Sequence, residues 1–493
     1  MRDSHSAPAG DIDTPIRNFI GGEWIPASAS DAVEVTDPGT GEVIGHVPLS
    51  TNADVDAAVQ AAADAFPAWR ATPPVERARV LFRLKALLEE HKHEFARDLS
   101  REHGKNVKET LGEIQRGIEN VEHACGVPTL MMGDTLEDVA SGIDCETVRQ
   151  PLGVFVGITP YNFPVMIPLW FWPYAVATGN TFVLKPSEQD PLTHQRIVDL
   201  AVQAGLPAGV LNVVHGDKEA TTQLIQHPQV EGVSFVGSSE IARIIYRVAG
   251  AAGKRVQALG GAKNHMIVMP DADLDLTAEA IVGSVYGSAG QRCLAGTQVM
   301  GVGDAYGRIK ERIVEGARAV KVGYGLDEDT FMGPVISKKH QARVESYIDA
   351  GESEGARVLV DGRGFKVDGY PNGNWVGPTV LDEVVPEMSV GREEIFGPVA
   401  GLTAVNSLDE AVELMHRVEY GNATSIFTTS GRAAREFRYR AGISMMGVNI
   451  GVAAPMAFFP FGGSRASFFG SLRAQGKDAI AFYTDQRVVI SRW

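Results

Sequence analysis

Cys293 lies in the run Gly287-Ser288-Ala289-Gly290-Gln291-Arg292-Cys293, among small residues and directly after an arginine. Small neighbours leave a sulfur reachable, and an adjacent guanidinium favours the thiolate, which is the nucleophilic form. A lone cysteine is more often a small buried hydrophobe, so the nucleophile reading depends on its company. Three further segments supply it: Thr159-Pro160-Tyr161-Asn162-Phe163-Pro164, Leu184-Lys185-Pro186-Ser187-Glu188, and Glu393-Glu394-Ile395-Phe396-Gly397-Pro398. Each alone has a plainer explanation. An Asn in a proline-rich turn forms the turn, Lys185 marks a charged strand end, and a Glu-Glu pair is usually a solvated face.

Together and in this order, the four segments resemble the aldehyde dehydrogenase superfamily, from about Ile20 to the C-terminus. The resemblance implies that Cys293 attacks an aldehyde. Asn162 would donate its side-chain amide to the oxyanion, with the Cys293 N–H as second donor. Losing one such donor typically costs about a hundredfold in rate. NAD is the implied cofactor. Lys185 and Glu188 would take the adenosine ribose hydroxyls, where a carboxylate accepts from the 2′-OH and repels the 2′-phosphate of NADP. Gly237 and Ser238, in Phe235-Val236-Gly237-Ser238, would hold pyrophosphate at a helix start. Glu394 would grip the nicotinamide ribose with Phe396 beside it, and Thr159 and Phe163 complete the cofactor-binding set. No Gly-x-Gly-x-x-Gly fingerprint is present; the family binds its cofactor without one. No metal is implied.

One segment departs from the hydrolytic members. They carry Glu-Leu-Gly-Gly-Lys, whose Glu activates water against the acyl-enzyme. This chain reads Gln257-Ala258-Leu259-Gly260-Gly261-Ala262-Lys263-Asn264-His265, and Ala258, where the Glu would fall, cannot serve as a base. Ala262 looks inserted. The segment resembles the methylmalonate-semialdehyde dehydrogenase branch, which passes its acyl group to coenzyme A with loss of CO2. In that branch arginines matching Arg116 and Arg292 bind the carboxylate of the semialdehyde. Planar guanidiniums suit a planar anion, although either arginine alone reads as a surface ion-pair partner. The tail from Pro455 to Arg465 also resembles the branch and puts Phe459 and Phe461 on the substrate tunnel. A hydrolytic enzyme with its base elsewhere and a catalytically silent relative are the rival readings.

The elements that must position these residues follow from pattern. Strands are expected at Val154–Ile158, Thr181–Lys185, Leu211–His215, Gly232–Val236 and His265–Met269, separated by helices such as Leu192–Ala204 and Glu240–Ala252. Short apolar strands alternating with helices indicate a parallel α/β sheet. A strand hairpin precedes them (Phe19 to Ile25, then Val33 to Val47). A helix follows Thr51 to about Phe66, and another runs from Pro74 to Phe95. Val165 to Ala177 reads as a packed helix, too short and too rich in proline to span a bilayer. Residues 1–124 and 149–258 are expected to form a Rossmann-like NAD-binding domain and 259–462 the α/β catalytic domain. Segments 125–148 and 475–493 are left for an oligomerisation sheet, with Cys145–Arg149 and Arg487–Arg492 as short strands and a homotetramer as the implied assembly.

The bulk numbers agree with such an enzyme. Charged residues are 22% and hydrophobic ones 44% of the chain, ordinary for a globular protein. The net charge of -16 argues against a nucleic-acid surface. Three cysteines, Cys125, Cys145 and Cys293, are no disulfide framework and suggest a reducing cytoplasm. Met1 to Pro8 shows no secretory signal pattern.

Overall fold

The computed structural model describes residues 16–493. The reading of Met1 to Pro8, and the first fifteen residues of the expected first domain, lie outside the described residues. Two large sheets dominate. The first runs, in spatial order, Glu23–Ile25, Asn18–Ile20, Leu211–Val213, Thr181–Lys185, Val154–Ile158, Val230–Val236, Arg255–Leu259 and Phe468–Gly470. Its five central strands are parallel and both edges antiparallel. Val154–Ile158 and Thr181–Lys185 are buried at every position, as strands covered by helices on both faces must be.

The second sheet runs Arg357–Val360, Thr379–Asp382, Val399–Val405, Gly296–Val302, Asn264–Val268, Ala423–Phe427 and Met445–Val448. A third, small sheet joins Thr484–Arg492 to Ile143–Pro151 and that strand to Thr135–Ala140. The pairing is antiparallel and unbroken from Thr484↔Pro151 to Arg492↔Ile143. The two segments expected as short strands are therefore parts of longer ones that pair with each other. The sheet stands away from both cores: Leu136, Val488, Ile490 and Trp493 are exposed.

The helical expectations needed three corrections. The helix after Thr51 is Asn52–Ala71 and continues through Pro67. Trp69, buried, donates its indole N–H to Val176 O at 2.9 Å, and this anchor holds the last turn despite the proline. The next helix is Pro74–His103, longer than expected because Ala96, Leu99 and His103 are also buried before Gly104 ends it with φ 93°. The Val165 to Ala177 stretch is not one helix. A 3₁₀ turn at Pro168–Trp170 precedes a helix at Trp172–Thr178, because Pro168 and Pro173 each remove a helical N–H.

Candidate active site

Three adjacent strands of the first sheet deliver the polar residues. Val154–Ile158 ends at Thr159, Thr181–Lys185 at Lys185, and Val230–Val236 at Gly237. From Val154–Ile158 the chain builds outward through Thr181–Lys185 to Leu211–Val213, then returns on the other side as Val230–Val236. That reversal is a topological switch point, and the crevice beyond the strand ends there is where open α/β sheets bind ligands. Ser238 caps the helix Ser239–Ala251, accepting from the Ile241 N–H at 3.4 Å. Lys185 Nζ lies 3.1 Å from the Glu188 carboxylate, which stays partly exposed.

Glycines let the loop after Leu259 pack closely against the helix start and Glu394. A Cβ at Gly260 would come 2.6 Å from Ser239 Oγ, and one at Gly261 2.6 Å from a Glu394 carboxylate oxygen. The other Glu394 oxygen accepts from the Ala262 N–H at 3.0 Å, so the residue that looked inserted holds this carboxylate. Burial pushes the Glu394 carboxyl up to about 7, against the pull of the Ala262 N–H, Arg343 and Lys263. Burial also lowers Lys263 to about 8. Phe396 has φ 62°, a costly conformation for an aromatic residue. Its carbonyl is 2.7 Å from His340 Nε2 and its ring lies edge-on to Tyr161. The Thr159 hydroxyl is buried and has no partner among the described residues.

Cys293 sits on a loop fastened at several points. Asn162 Nδ2 donates to the Gln291 carbonyl at 3.0 Å, which brings the expected oxyanion donor to the nucleophile's loop. Gln291 Oε1 accepts from the Ile336 N–H at 3.1 Å. The Cys293 carbonyl accepts from two side-chain amides, Asn264 Nδ2 and Asn422 Nδ2, each at 2.8 Å. Asn264 also donates to Ala295 O at 3.0 Å and accepts from the Ala423 N–H. The ends of two strands of the second sheet thus hold the peptide that follows the thiol.

The turn carrying Asn162 has its own buried anchor. Glu113 and Lys105 form an ion pair at 2.7 Å with almost no exposure. Glu113 Oε1 accepts from the N–H groups of Val165 (2.9 Å) and Met166 (3.2 Å). Lys105 Nζ donates to Asn162 O and lies 4.0 Å from the centre of the Phe163 ring. Sequence reasoning missed Lys105, Glu109, Glu113, Asn264 and Asn422 as site-forming residues. Glu109, Glu113 and Arg116 share one face of the helix Val107–Ala124, a spacing that could have flagged the first two. Nothing in the local pattern marks the asparagines.

The expected effect of Arg292 on the thiol is weaker than its position suggested. Burial, then the Glu394 charge, push Cys293 up to about 12; its own N–H, Arg292 and the Leu294 N–H pull the other way and lose. The Arg292 guanidinium is ion-paired through Nη2 to one oxygen of Glu109 at 2.6 Å. Arg116, on the helix Val107–Ala124, is half-exposed and donates to Glu119 and to Met456 Sδ. The two expected tunnel residues part company: Phe459 is exposed, while Phe461 is buried against Trp170, ring centres 4.3 Å apart. Ala258 is fully buried, in an apolar cluster with Val156, Phe235 and Ile245, and pairs with Phe469 on the neighbouring strand.

The chain matches the family model described as the aldehyde dehydrogenase family over residues 24–489. It is 48% identical over 480 residues to malonate-semialdehyde dehydrogenase of Halalkalibacterium halodurans, covering 97% of this chain and 98% of the relative. Among solved structures, methylmalonate-semialdehyde dehydrogenase of Oceanimonas doudoroffii superposes with a TM-score of 0.96 at 47% identity, covering 97% and 98% of the two chains. A Sinorhizobium meliloti chain solved in complex with NAD gives 0.96 at 44% identity, with the same coverage.

Proposed function

The chain belongs to the aldehyde dehydrogenase family and has its fold, and from that premise we propose that it is a NAD-dependent, coenzyme A-acylating dehydrogenase of malonate semialdehyde and its methyl homologue. The products are acetyl-CoA and propionyl-CoA, with CO2. The observation that carries the reading is near full-length similarity to malonate-semialdehyde dehydrogenases in a chain whose base position holds a buried alanine.

The crevice residues fit a dinucleotide. The unspent Thr159 hydroxyl and the carboxylates of Glu188 and Glu394 suit hydroxyl-bearing riboses. Gly237 and Ser238 offer a helix start to pyrophosphate, and Phe163 and Phe396 supply apolar walls. NAD, when bound, takes the hydride and so supplies the oxidation that leaves a thioester on Cys293.

The chain's own residues do the rest. Cys293 Sγ adds to the aldehyde carbon, giving a thiohemiacetal. Asn162 Nδ2 and the Cys293 N–H donate to its oxyanion, while Lys105, Glu113, Asn264 and Asn422 hold these donors in place. Arg116 and Arg292 take the substrate carboxylate, and Phe459 and Phe461 bound the apolar approach. Water finds no base at Ala258, so the thioester waits for a thiol that is intrinsically more nucleophilic. Coenzyme A is that thiol.

Of the expected first unit, 1–124 and 149–258, we place the described residues 16–124 and 149–258 in a NAD-binding unit, and 259–462 in a catalytic unit. Of segments 125–148 and 475–493, the helices Val127–Leu130 and Gly476–Phe482 pack into the core on the first sheet, whereas the strands Thr135–Ala140, Ile143–Pro151 and Thr484–Arg492 build the sheet that joins subunits, into a tetramer in the cytoplasm. The apolar exposure of that sheet supports the last assignment. No described helix is long and apolar enough to cross a membrane.

The test is NADH production from malonate semialdehyde with and without coenzyme A. A fast burst followed by slow turnover without coenzyme A, and sustained turnover with it, is expected. Equal steady rates yielding free acid would assign the enzyme to the hydrolytic alternative.

A further inference from the structure

We propose that Glu109 is a specificity-determining positioning residue. Its carboxylate ties the guanidinium of Arg292 to the turn that presents Cys293, and so sets how strongly a carboxylated substrate is preferred over an uncharged one. The inference rests on the reading of Arg292 as a carboxylate ligand.

One oxygen of Glu109 accepts two hydrogen bonds, from the Ser288 N–H at 2.7 Å and from Arg292 Nη2 at 2.6 Å. The two donors sit five residues and one residue before Cys293. Between them the backbone is unusual. Ser288, Ala289 and Gly290 have φ of 53°, 51° and 70°, three consecutive left-handed residues of which two carry a Cβ. Such a conformation persists only where the surroundings over-determine it, and the Ser288 N–H to carboxylate bond is one of the constraints. The strained turn and the arginine therefore share a single anchor.

The arginine is held in place without using all its donors. Nη2 meets Glu109 and Nη1 meets Gly283 O at 3.3 Å. The guanidinium lies against Gly287, where a Cβ would come within 2.5 Å of Nη1, so no side chain there can displace it. Five N–H donors are available to an arginine, and Nε has no partner among the described residues. The second Glu109 oxygen is buried without a partner, so the link is a single-oxygen contact that leaves the guanidinium able to share a second carboxylate. Glu109 belongs to the same helix as Arg116, on the same face, so one rigid element carries one arginine of the fork and holds the other.

A charge-assisted bond is roughly twice as strong as a neutral one. Glu109→Gln keeps an acceptor for Ser288 but removes the charge that orients Arg292. The decisive readout needs no turnover: the rate of Cys293 alkylation by iodoacetate divided by that by iodoacetamide, on one preparation from which unfolded, fast-reacting protein has been removed by gel filtration. In the unaltered enzyme an oriented arginine fork favours the anionic reagent. Glu109→Gln should lower the ratio at least threefold, and kcat/KM for malonate semialdehyde should fall at least threefold more than for propanal. Glu109→Ala, which also frees the Ser288 N–H, should lower kcat on both substrates. If Arg292→Leu lowers the ratio while Glu109→Gln leaves it unchanged or raises it, the role of Glu109 is overturned and the reading of Arg292 stands. If Arg292→Leu leaves the ratio unchanged, the carboxylate reading itself fails and Glu109 is an anchor of the turn alone.

Discussion

At the residue scale, the nucleophile is held ready without being ionised. Burial and Glu394 together push Cys293 up to about 12, from the ordinary 9.0. Below a thiol's pKa the thiolate fraction grows tenfold per pH unit, so alkylation of the free enzyme by iodoacetamide should still be rising steeply through pH 9, with no plateau near neutrality. A plateau between pH 7 and 8 would mean that Arg292 governs the thiol after all. The same shift has a stability sign. The folded thiol holds its proton above the unfolded value, so the folded state loses stability as pH climbs from 9 towards 12. A second prediction concerns the clamp on the Cys293 carbonyl. Asn422→Ala removes one of its two donors, a bond worth about 1 kcal/mol. Asn264 still satisfies the oxygen, so the unfolding midpoint should move little while kcat falls about tenfold through misplacement of the thiol. Unchanged kcat would show that Asn264 alone sets the loop.

Elements act here as rigid carriers. The helix Val107–Ala124 carries Glu109 to Arg292 and Glu113 to the Asn162 turn on one face, and the Lys105–Glu113 pair locks its start to that turn. Removing one partner of a buried pair leaves an uncompensated charge and costs about 3–5 kcal/mol. Lys105→Met should therefore lower the unfolding midpoint markedly and depress kcat with it, because Asn162 loses its carbonyl anchor. Replacing both Lys105 and Glu113 by apolar residues should recover stability but not kcat; recovery of both would make the pair purely structural. On the proposed reading, Glu188, just past the end of the strand Thr181–Lys185 and paired with Lys185, takes the ribose 2′-hydroxyl. A repelled phosphate is worth about 2 kcal/mol, or on the order of thirtyfold in affinity, so NAD should be preferred over NADP by about that factor. Glu188→Gln should narrow the gap, which competing cofactor titrations would measure.

For the whole molecule, the small sheet of Thr484–Arg492, Ile143–Pro151 and Thr135–Ala140 is the feature that a monomer explains least. It exposes Leu136, Val488, Ile490 and Trp493, and its outer strands present unpaired edges, which invite strand addition. Deleting the chain beyond Asp485 removes seven of the nine residues that pair with Ile143–Pro151. The truncated protein should show a smaller mass by light scattering, and an unchanged mass would move the subunit contact elsewhere. Both large cores lie apart from this sheet, so NAD affinity of the truncated protein should persist.

The sequence by itself determined the parallel α/β architecture and the set of reactive groups. Apolar strands bounded by helical periodicity can bury both faces in only one kind of sheet, and five expected strands fall within a residue or two of the observed ones. The motif around Cys293 and its three companion segments located the polar residues because each sits at a strand end or a tight turn, where local chemistry is visible. Helix ends were less legible, since burial of Trp69 and Leu99 carried two helices past their apparent stops. What only the tertiary structure decided is which groups meet. Asn264 and Asn422 are 158 residues apart in number yet share one carbonyl, and Glu109 reaches Arg292 across 183 positions. Residue spacing carries no record of such contacts. The ionisation of Cys293 follows them, because it depends on how much protein surrounds the sulfur and on which charge already faces its neighbouring arginine.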